Sequence, residues 1–271
     1  MSCRKNTVLV FLFLAAATAT GGTNSFTVGC VNCGAFHYGK GRATKAEFCA
    51  EWKRLAADWP QDVFFYEDVG KDPQRMPGSH AMPKFDIRAE SRATPVKVDA
   101  IPMPRTIDVD GVERKTPRFR ALRLVFERDG RSLAVYGVHL VAEGHIPKGK
   151  ARNEGSAKSP SHSQRLRQSQ FRALIEDAKN FDLSILTGDF NAQKPWEYDI
   201  FKSAGFSIAN CSADYGEQAT LRDIPADNII LSPGLSFTDF KVLKDYVLDT
   251  DHFPLVAKVR FMGSLGEKRA E

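Results

Sequence analysis

The stretch Leu183-Ser184-Ile185-Leu186-Thr187-Gly188-Asp189-Phe190-Asn191-Ala192 decides the fold. Leu183 to Leu186 is a short apolar run of strand length. A glycine follows, then an acid and an amide whose side chains bond their own backbone in turns. Just upstream, Gln164 to Asn180 reads as a helix with Leu166, Phe171, Leu174, Ile175 and Ala178 as its apolar members. The unit is therefore helix, buried strand and polar turn. The same design recurs outward along the chain. Asn32 ends a strand from Phe26 to Asn32, and Glu67 directly follows Val63-Phe64-Phe65-Tyr66. His139 lies within Val138-His139-Leu140, Asp227 precedes Asn228-Ile229-Ile230-Leu231, and Asp251-His252 precedes Phe253-Pro254-Leu255. Taken singly, each has an ordinary reading: a solvated turn residue, a satisfied core histidine, a loop. Their number, order and equivalent placement at strand ends point to side chains that converge in one cleft.

The remaining elements alternate. Thr44 to Asp58 reads as a helix, with Thr44 and Glu47 at capping-box spacing and Phe48, Trp52 and Leu55 as its stripe. Residues 72–117 hold seven of the 14 prolines and read as loops with short strands. Arg120 to Glu127 and Ser132 to Leu140 flank Asp129-Gly130, a hairpin signal. Trp196 to Ala204 reads as a helix stopped by Gly205, Leu255 to Phe261 as a strand, and residues 263–271 as a polar tail. Strands outnumber helices, and hairpins mix with crossovers. That predicts an α/β (α+β) sandwich rather than an open parallel sheet. No G-x-G-x-x-G or P-loop is present, so those modes of nucleotide binding have no support.

The chain has 271 residues, 42% hydrophobic and 26% charged, which excludes a largely disordered protein. Arg4 and Lys5 precede an apolar run from Val8 to Ala17, shorter than the roughly twenty residues a membrane-spanning helix needs. Ala17-Thr18-Ala19 has the small-x-small form of a cleavage site. Residues 1–19 are thus expected to be a signal peptide, and the mature chain to be secreted or periplasmic, with one domain over 24–262. Removing Arg4 and Lys5 takes the net charge from +5 to +3, so any anion site must come from local clustering. One such cluster is Lys148, Lys150, Arg152, Lys158, Arg165 and Arg167 against the single acid Glu154. It reads either as a loop that tracks phosphates or as a solvated loop, without the interleaved aromatics of a stacking surface. Cys30, Cys33, Cys49 and Cys211 remain after cleavage, and an oxidising compartment would allow two bridges in three pairings. On one strand Cys30 and Cys33 would lie about 10 Å apart on opposite faces. That exceeds the roughly 7 Å reach of a direct bridge, so their expected role is structural.

The ordered set of strand ends resembles the endonuclease/exonuclease/phosphatase superfamily, the deoxyribonuclease-I-like proteins. Asp62-Val63-Phe64-Phe65-Tyr66-Glu67-Asp68-Val69 is similar to its metal-glutamate strand, and Gly137-Val138-His139-Leu140 to its histidine strand. Leu186-Thr187-Gly188-Asp189-Phe190-Asn191-Ala192 resembles its GDFN segment. Asp227-Asn228-Ile229-Ile230-Leu231 resembles the Asp-x-Ile strand, and Thr250-Asp251-His252-Phe253-Pro254-Leu255 the terminal Ser-Asp-His-x-Pro segment. Thr250 replaces the usual serine, Asn228 a common aromatic, and Tyr66-Glu67 the usual Gln-Glu. The resemblance implies a four-layer α-β-β-α sandwich of two mixed sheets.

It also implies roles. Asn32, Glu67 and Asp251 would hold a metal, and an oxygen-only ligand set suits Mg2+ or Mn2+ rather than Zn2+. His252 would act as general base or acid, oriented by Asp227. Asp189 would orient the attacking water or protonate the leaving group, Asn191 would hold a phosphate oxygen, and His139 would contact the phosphate. Arg120, or equally Arg118, would add a substrate contact. The expected activity is Mg2+-dependent hydrolysis of phosphate esters by a monomer, with nucleic acid as the leading substrate. Hydrolysis of inositol phosphates or sphingomyelin, and a non-catalytic binding module of the same fold, are the alternatives. No long hydrophobic hairpin suited to membrane insertion is apparent.

Overall fold

The computed structural model describes residues 24–34, 45–69, 80–81, 86–109, 111–116, 120–143, 158, 160–221, 223–246 and 250–263, with the backbone alone at 45–49, 52, 53 and 120. The expected signal peptide, Arg118, the tail beyond 263, and Lys148, Lys150, Arg152 and Glu154 of the basic loop lie outside the described residues.

Strand β1 (Ser25–Asn32) leads to helix α1 (Lys45–Asp58) and then to β2 (Val63–Glu67), β3 (His80–Ala81), β4 (Arg88–Ser91) and β5 (Lys97–Pro102). A small hairpin, β6 (Thr106–Val109) and β7 (Val112–Lys115), precedes the long hairpin β8 (Arg120–Arg128) and β9 (Arg131–His139). Helix α2 (His162–Ala178) and β10 (Leu183–Asp189) follow, then a tight helical turn (Pro195–Tyr198) running into α3 (Asp199–Ser203). The chain ends with β11 (Ser207–Ile208), β12 (Asp227–Leu231), β13 (Leu235–Val242) and β14 (Leu255–Phe261).

Local chemistry explains these boundaries. The two residues between β8 and β9, Asp129 and Gly130, have φ of 50° and 72°, the left-handed pair that a tight hairpin turn requires. Helix α2 begins two residues before the expected Gln164 because Ser161 caps it. Ser161 Oγ accepts the Gln164 N–H (3.1 Å), and Gln164 Oε1 accepts the Ser161 N–H (2.8 Å). Strand β13 is not named by the sequence reading. A register shift between Phe237 and Asp239 breaks its two-residue alternation, which hides the period that marks a strand.

The strands form two six-stranded sheets, ordered β13-β14-β1-β2-β4-β3 and β11-β12-β10-β9-β8-β5. Their facing sides interdigitate through Val28, Cys30, Phe65, Leu124, Val135, Ile185, Ile229 and Leu255. Leu55 of α1 covers the far side of the first sheet over Val31, Cys33, Phe64 and Val256. Phe171, Leu174 and Ile175 of α2 cover the far side of the second over Tyr136, Val138 and Leu186. The result is the expected four-layer sandwich. Burial of both faces is why β2, β10 and β12 read as continuous apolar runs instead of alternating. Cys30 points between the sheets and Cys33 toward α1, and both are free thiols, as is Cys211. The allowance for two bridges is therefore not met among the described residues, and the structural role expected for Cys30 and Cys33 fits their burial.

Candidate active site

Strand register brings the polar strand ends together. In the first sheet β1 and β2 run parallel, with Asn32 beside Glu67. In the second, β10 lies between parallel β9 and antiparallel β12, so Asp189 is flanked by His139 and Asp227. A hydrogen bond from Asn32 Nδ2 to Asp189 Oδ2 (2.7 Å) then ties the sheets to each other. Five of the expected site residues thus share one end of the sandwich because the chain reaches that end on each of these strands. The turn after β10 adds the sixth. Asn191 adopts a left-handed backbone (φ 52°), which asparagine tolerates. Its N–H bonds Asp189 Oδ1 (2.8 Å), and its Nδ2 bonds Asp189 Oδ2 (3.0 Å) and the Leu140 carbonyl (3.0 Å).

The segment before β14 brings the seventh. His252 Nδ1 donates to Asp227 Oδ2 at 2.8 Å. Thr250 anchors this segment. Its hydroxyl donates to the Asn32 carbonyl (2.7 Å) and accepts the His252 N–H (3.2 Å), which fixes the segment against β1. Asp251 is exposed beside this contact. Arg120 begins β8, opposite Pro102, and its side chain lies outside the described residues.

The charges here do not balance. Glu67 is fully buried, and neither of its carboxylate oxygens has a hydrogen-bond partner among the described residues. Burial, then the Asp227 and Asp189 carboxylates, push the Glu67 carboxyl well above the usual range. Burial and Asp227 likewise raise Asp189, against the opposing pull of His252, His139 and Asn32. The histidines are raised as well, which for an imidazole favours the charged form. Burial lowers His252, but the Asp227 charge and hydrogen bond outweigh it and raise the imidazole to about 9. His139 is also lowered by burial and raised to about 9 by Asp86 and Asp189, at 3.5 Å from Asp86 Oδ2 and 3.8 Å from Asp189 Oδ2. Bare buried carboxylate oxygens of this kind fit a hard divalent cation with oxygen ligands.

Gly188 permits this arrangement. Its φ is 130°, and a Cβ there would lie 2.3 Å from the Val138 carbonyl oxygen and 2.8 Å from Glu67 Oε1. Only glycine lets β10 pass this close to the buried carboxylate. Two contributors escape the sequence reading. Asp86 lies within the proline-rich segment without a strand to mark it, and Thr220, whose Oγ1 accepts the Asp227 N–H (2.9 Å), sits in a loop. One expected participant is corrected. Arg167, counted with the basic loop, is fully buried in α2 and paired with Glu197 (2.7 Å), so it is not available to a phosphate backbone. Of the described loop cations, Lys158 and Arg165 are exposed.

No protein-family model and no curated protein sequence matches the chain. Solved structures match its fold. The catalytic domain of human Nocturnin with bound sulfate anion superposes with a TM-score of 0.60 and 18% identity, over 88% of this chain and 95% of that one. The chain has the fold of the endonuclease/exonuclease/phosphatase proteins. One such protein, from Beutenbergia cavernae, matches with a TM-score of 0.59 and 16% identity over 88% of this chain and 72% of that one. The 3′ phosphatase NExo from Neisseria, bound to product DNA hairpin, gives 0.57 and 14% over 88% and 100%.

Proposed function

We propose that the protein is a divalent-metal-dependent phosphoesterase that cleaves phosphodiesters, with nucleic acid as its substrate, and that it is exported. The observation that carries this reading is the pairing of a buried carboxylate without partners among the described residues, Glu67, with a carboxylate–histidine pair, Asp227–His252, across the facing sheets. A phosphodiester resists attack because it is anionic. Its hydrolysis needs positive charge on the phosphate oxygens, an activated water and a stabilised leaving oxygen. Glu67, with Asn32 and exposed Asp251 at the rim, would hold Mg2+ or Mn2+, which supplies the first of these when bound. His252 Nε2 takes or gives the proton, and Asp227 fixes the tautomer and stabilises the imidazolium. Asp189, held by Asn32 and Asn191, positions the water or leaving group. His139, cationic up to about pH 9, faces the phosphate.

Nucleic acid is favoured because NExo, of the same fold, holds a DNA product, and because Lys158, ahead of α2, and Arg165, in its first turn, are exposed. Export rests on the basic start, short apolar run and Ala17-Thr18-Ala19. The test is hydrolysis of plasmid DNA, RNA and a bis-aryl phosphodiester with Mg2+ and with EDTA. The expected result is metal-dependent cleavage that His252→Ala abolishes. A His252→Ala protein with full rate overturns the mechanism. A folded protein that takes up no millimolar Mg2+ in calorimetry supports a binding module instead.

A further inference from the structure

Arg167 is fully buried, yet the chemistry above does not use it. A buried guanidinium must satisfy its donors or it destabilises the fold, and an apolar side chain of similar volume serves packing equally well. The targets of these donors are therefore informative. Arg167 Nη1 donates to the Val141 carbonyl at 2.8 Å, two residues beyond His139. Arg167 Nε and Nη2 bond Glu197 Oε2 at 2.8 and 2.7 Å, and Nη2 also reaches the part-exposed Glu143 Oε2 at 3.5 Å. The other oxygen, Glu197 Oε1, accepts the Gln193 and Lys194 N–H groups at 2.9 and 3.2 Å, in the turn just after Asn191. One helical turn along α2, Gln170 Oε1 accepts the Val141 N–H at 3.2 Å, so α2 holds the Val141 residue at both its N–H and its carbonyl. Between these anchors, Asn191 Nδ2 donates to the Leu140 carbonyl.

We infer that Arg167 is a positioning residue, which sets the distance between the exits of β9 and β10 and so the placement of His139 against Asn191 and Asp189. It acts through the Val141 carbonyl and through Glu197, and touches no substrate itself. The planar fork of arginine suits this role, because it reaches a carbonyl and a carboxylate in fixed directions where lysine offers a single point. The inference rests on the proposed phosphoesterase reading for its effect on rate, but not for its effect on geometry.

Arg167→Met alone strands Glu197 as a buried charge and can unfold the protein. The test therefore uses Arg167→Met with Glu197→Gln, which leaves no buried charge and keeps an acceptor for the turn. Displacement of a catalytic group by about an ångström costs up to about a hundredfold in rate. The folded double variant should lose about tenfold to a hundredfold in kcat at nearly constant KM, and Arg167→Lys should recover part of it. Hydrogen exchange provides a readout independent of activity. The Asn191 side-chain amide and the Leu140 N–H should lose protection at least about tenfold while Ile229 and Ile230 stay protected. Wild-type kcat with unchanged Asn191 protection overturns the inference, as does uniform loss that includes Ile229 and Ile230. If the wild-type protein hydrolyses no phosphate ester, the proposed function fails, and the exchange pattern still decides for or against Arg167.

Discussion

Two clusters of charge in the same sandwich follow opposite rules. On the outer face of the second sheet, Arg123 bonds Asp99 and Asp177 at 2.6 Å each, its guanidinium lies 4.8 Å from the Phe181 ring centroid, and Asp177 also accepts the Tyr136 hydroxyl at 2.7 Å. Each of these carboxylates has a cation. At the strand ends, the Glu67 carboxylate has no hydrogen-bond partner among the described residues and faces two further acids. Composition does not separate the clusters, since both are built from acids, bases and a buried strand. Compensation separates them: a charge that is matched locally contributes to stability, and one left unmatched in the core is driven to take up a proton or a cation.

The contrast predicts which variants lose activity and which lose stability. The largest effect belongs to His252→Ala, expected to lower kcat by about 10² to 10⁴ while the far-ultraviolet circular dichroism stays native. Full activity in that variant would place the chemistry elsewhere.

The next effect concerns pH. The folded-state pKa of His252 is raised, from an ordinary value near 6.5 to about 9. A raised histidine contributes stability that is fully present below about 6.5 and is lost as pH rises through about 9, amounting to about 3 kcal/mol. In EDTA, the melting-temperature advantage of wild type over His252→Gln should therefore be greatest near pH 6 and vanish near pH 10. An advantage that grows with pH would mean that Asp227 does not stabilise the imidazolium.

Arg123→Met sharpens the comparison from the compensated side. Arg123 is nearly buried, but Asp99 and Asp177 are partly solvated, so the loss should fall between surface and buried pairs, about 2 kcal/mol. Thermal denaturation should show a drop of about 6 °C with kcat of the folded protein unchanged.

The legible part of this molecule is what the strands impose. Asn32, Glu67, His139, Asp189 and Asp227 stand at or beside apolar runs that pass through both sheets, so a one-dimensional reading finds them without knowing the register. Arg167 shows the limit. It closes a run rich in cations and serines, and the partners that bury it, Val141 and Glu197, lie 26 and 30 positions away. A charge count along the chain assigns it to a solvent-facing loop, whereas helical periodicity places it one position from Leu166 and one turn from Phe171, on the side that α2 buries. Asp86 and Thr220 lie on irregular segments, where no period exists to carry the signal. The strand β13 has a period, but its bulge interrupts it.

The smallest effect tests the comparison at its centre. Glu67 is raised by burial and by like charge, so its ionised form is the strained one. A carboxyl group raised in the folded state contributes stability that is fully present below its ordinary value, near 4.3, and is lost as pH rises through the higher folded-state value. Without metal, Glu67→Gln removes that loss and keeps the shape. The variant should melt a few degrees above wild type in EDTA at neutral pH, a gain of about 1 kcal/mol, with the gap closing toward pH 4. Divalent cation reverses the order. Mg2+ should raise the wild-type melting temperature, and raise it more at pH 8 than at pH 5, because binding requires the deprotonated carboxylate. It should leave Glu67→Gln nearly unmoved. If Mg2+ stabilises both proteins equally, Glu67 is not a ligand, and its bare carboxylate must be matched by some other cation. If Glu67→Gln melts below wild type in EDTA, the carboxylate already has a stabilising partner, and the contrast with Arg123 loses its basis.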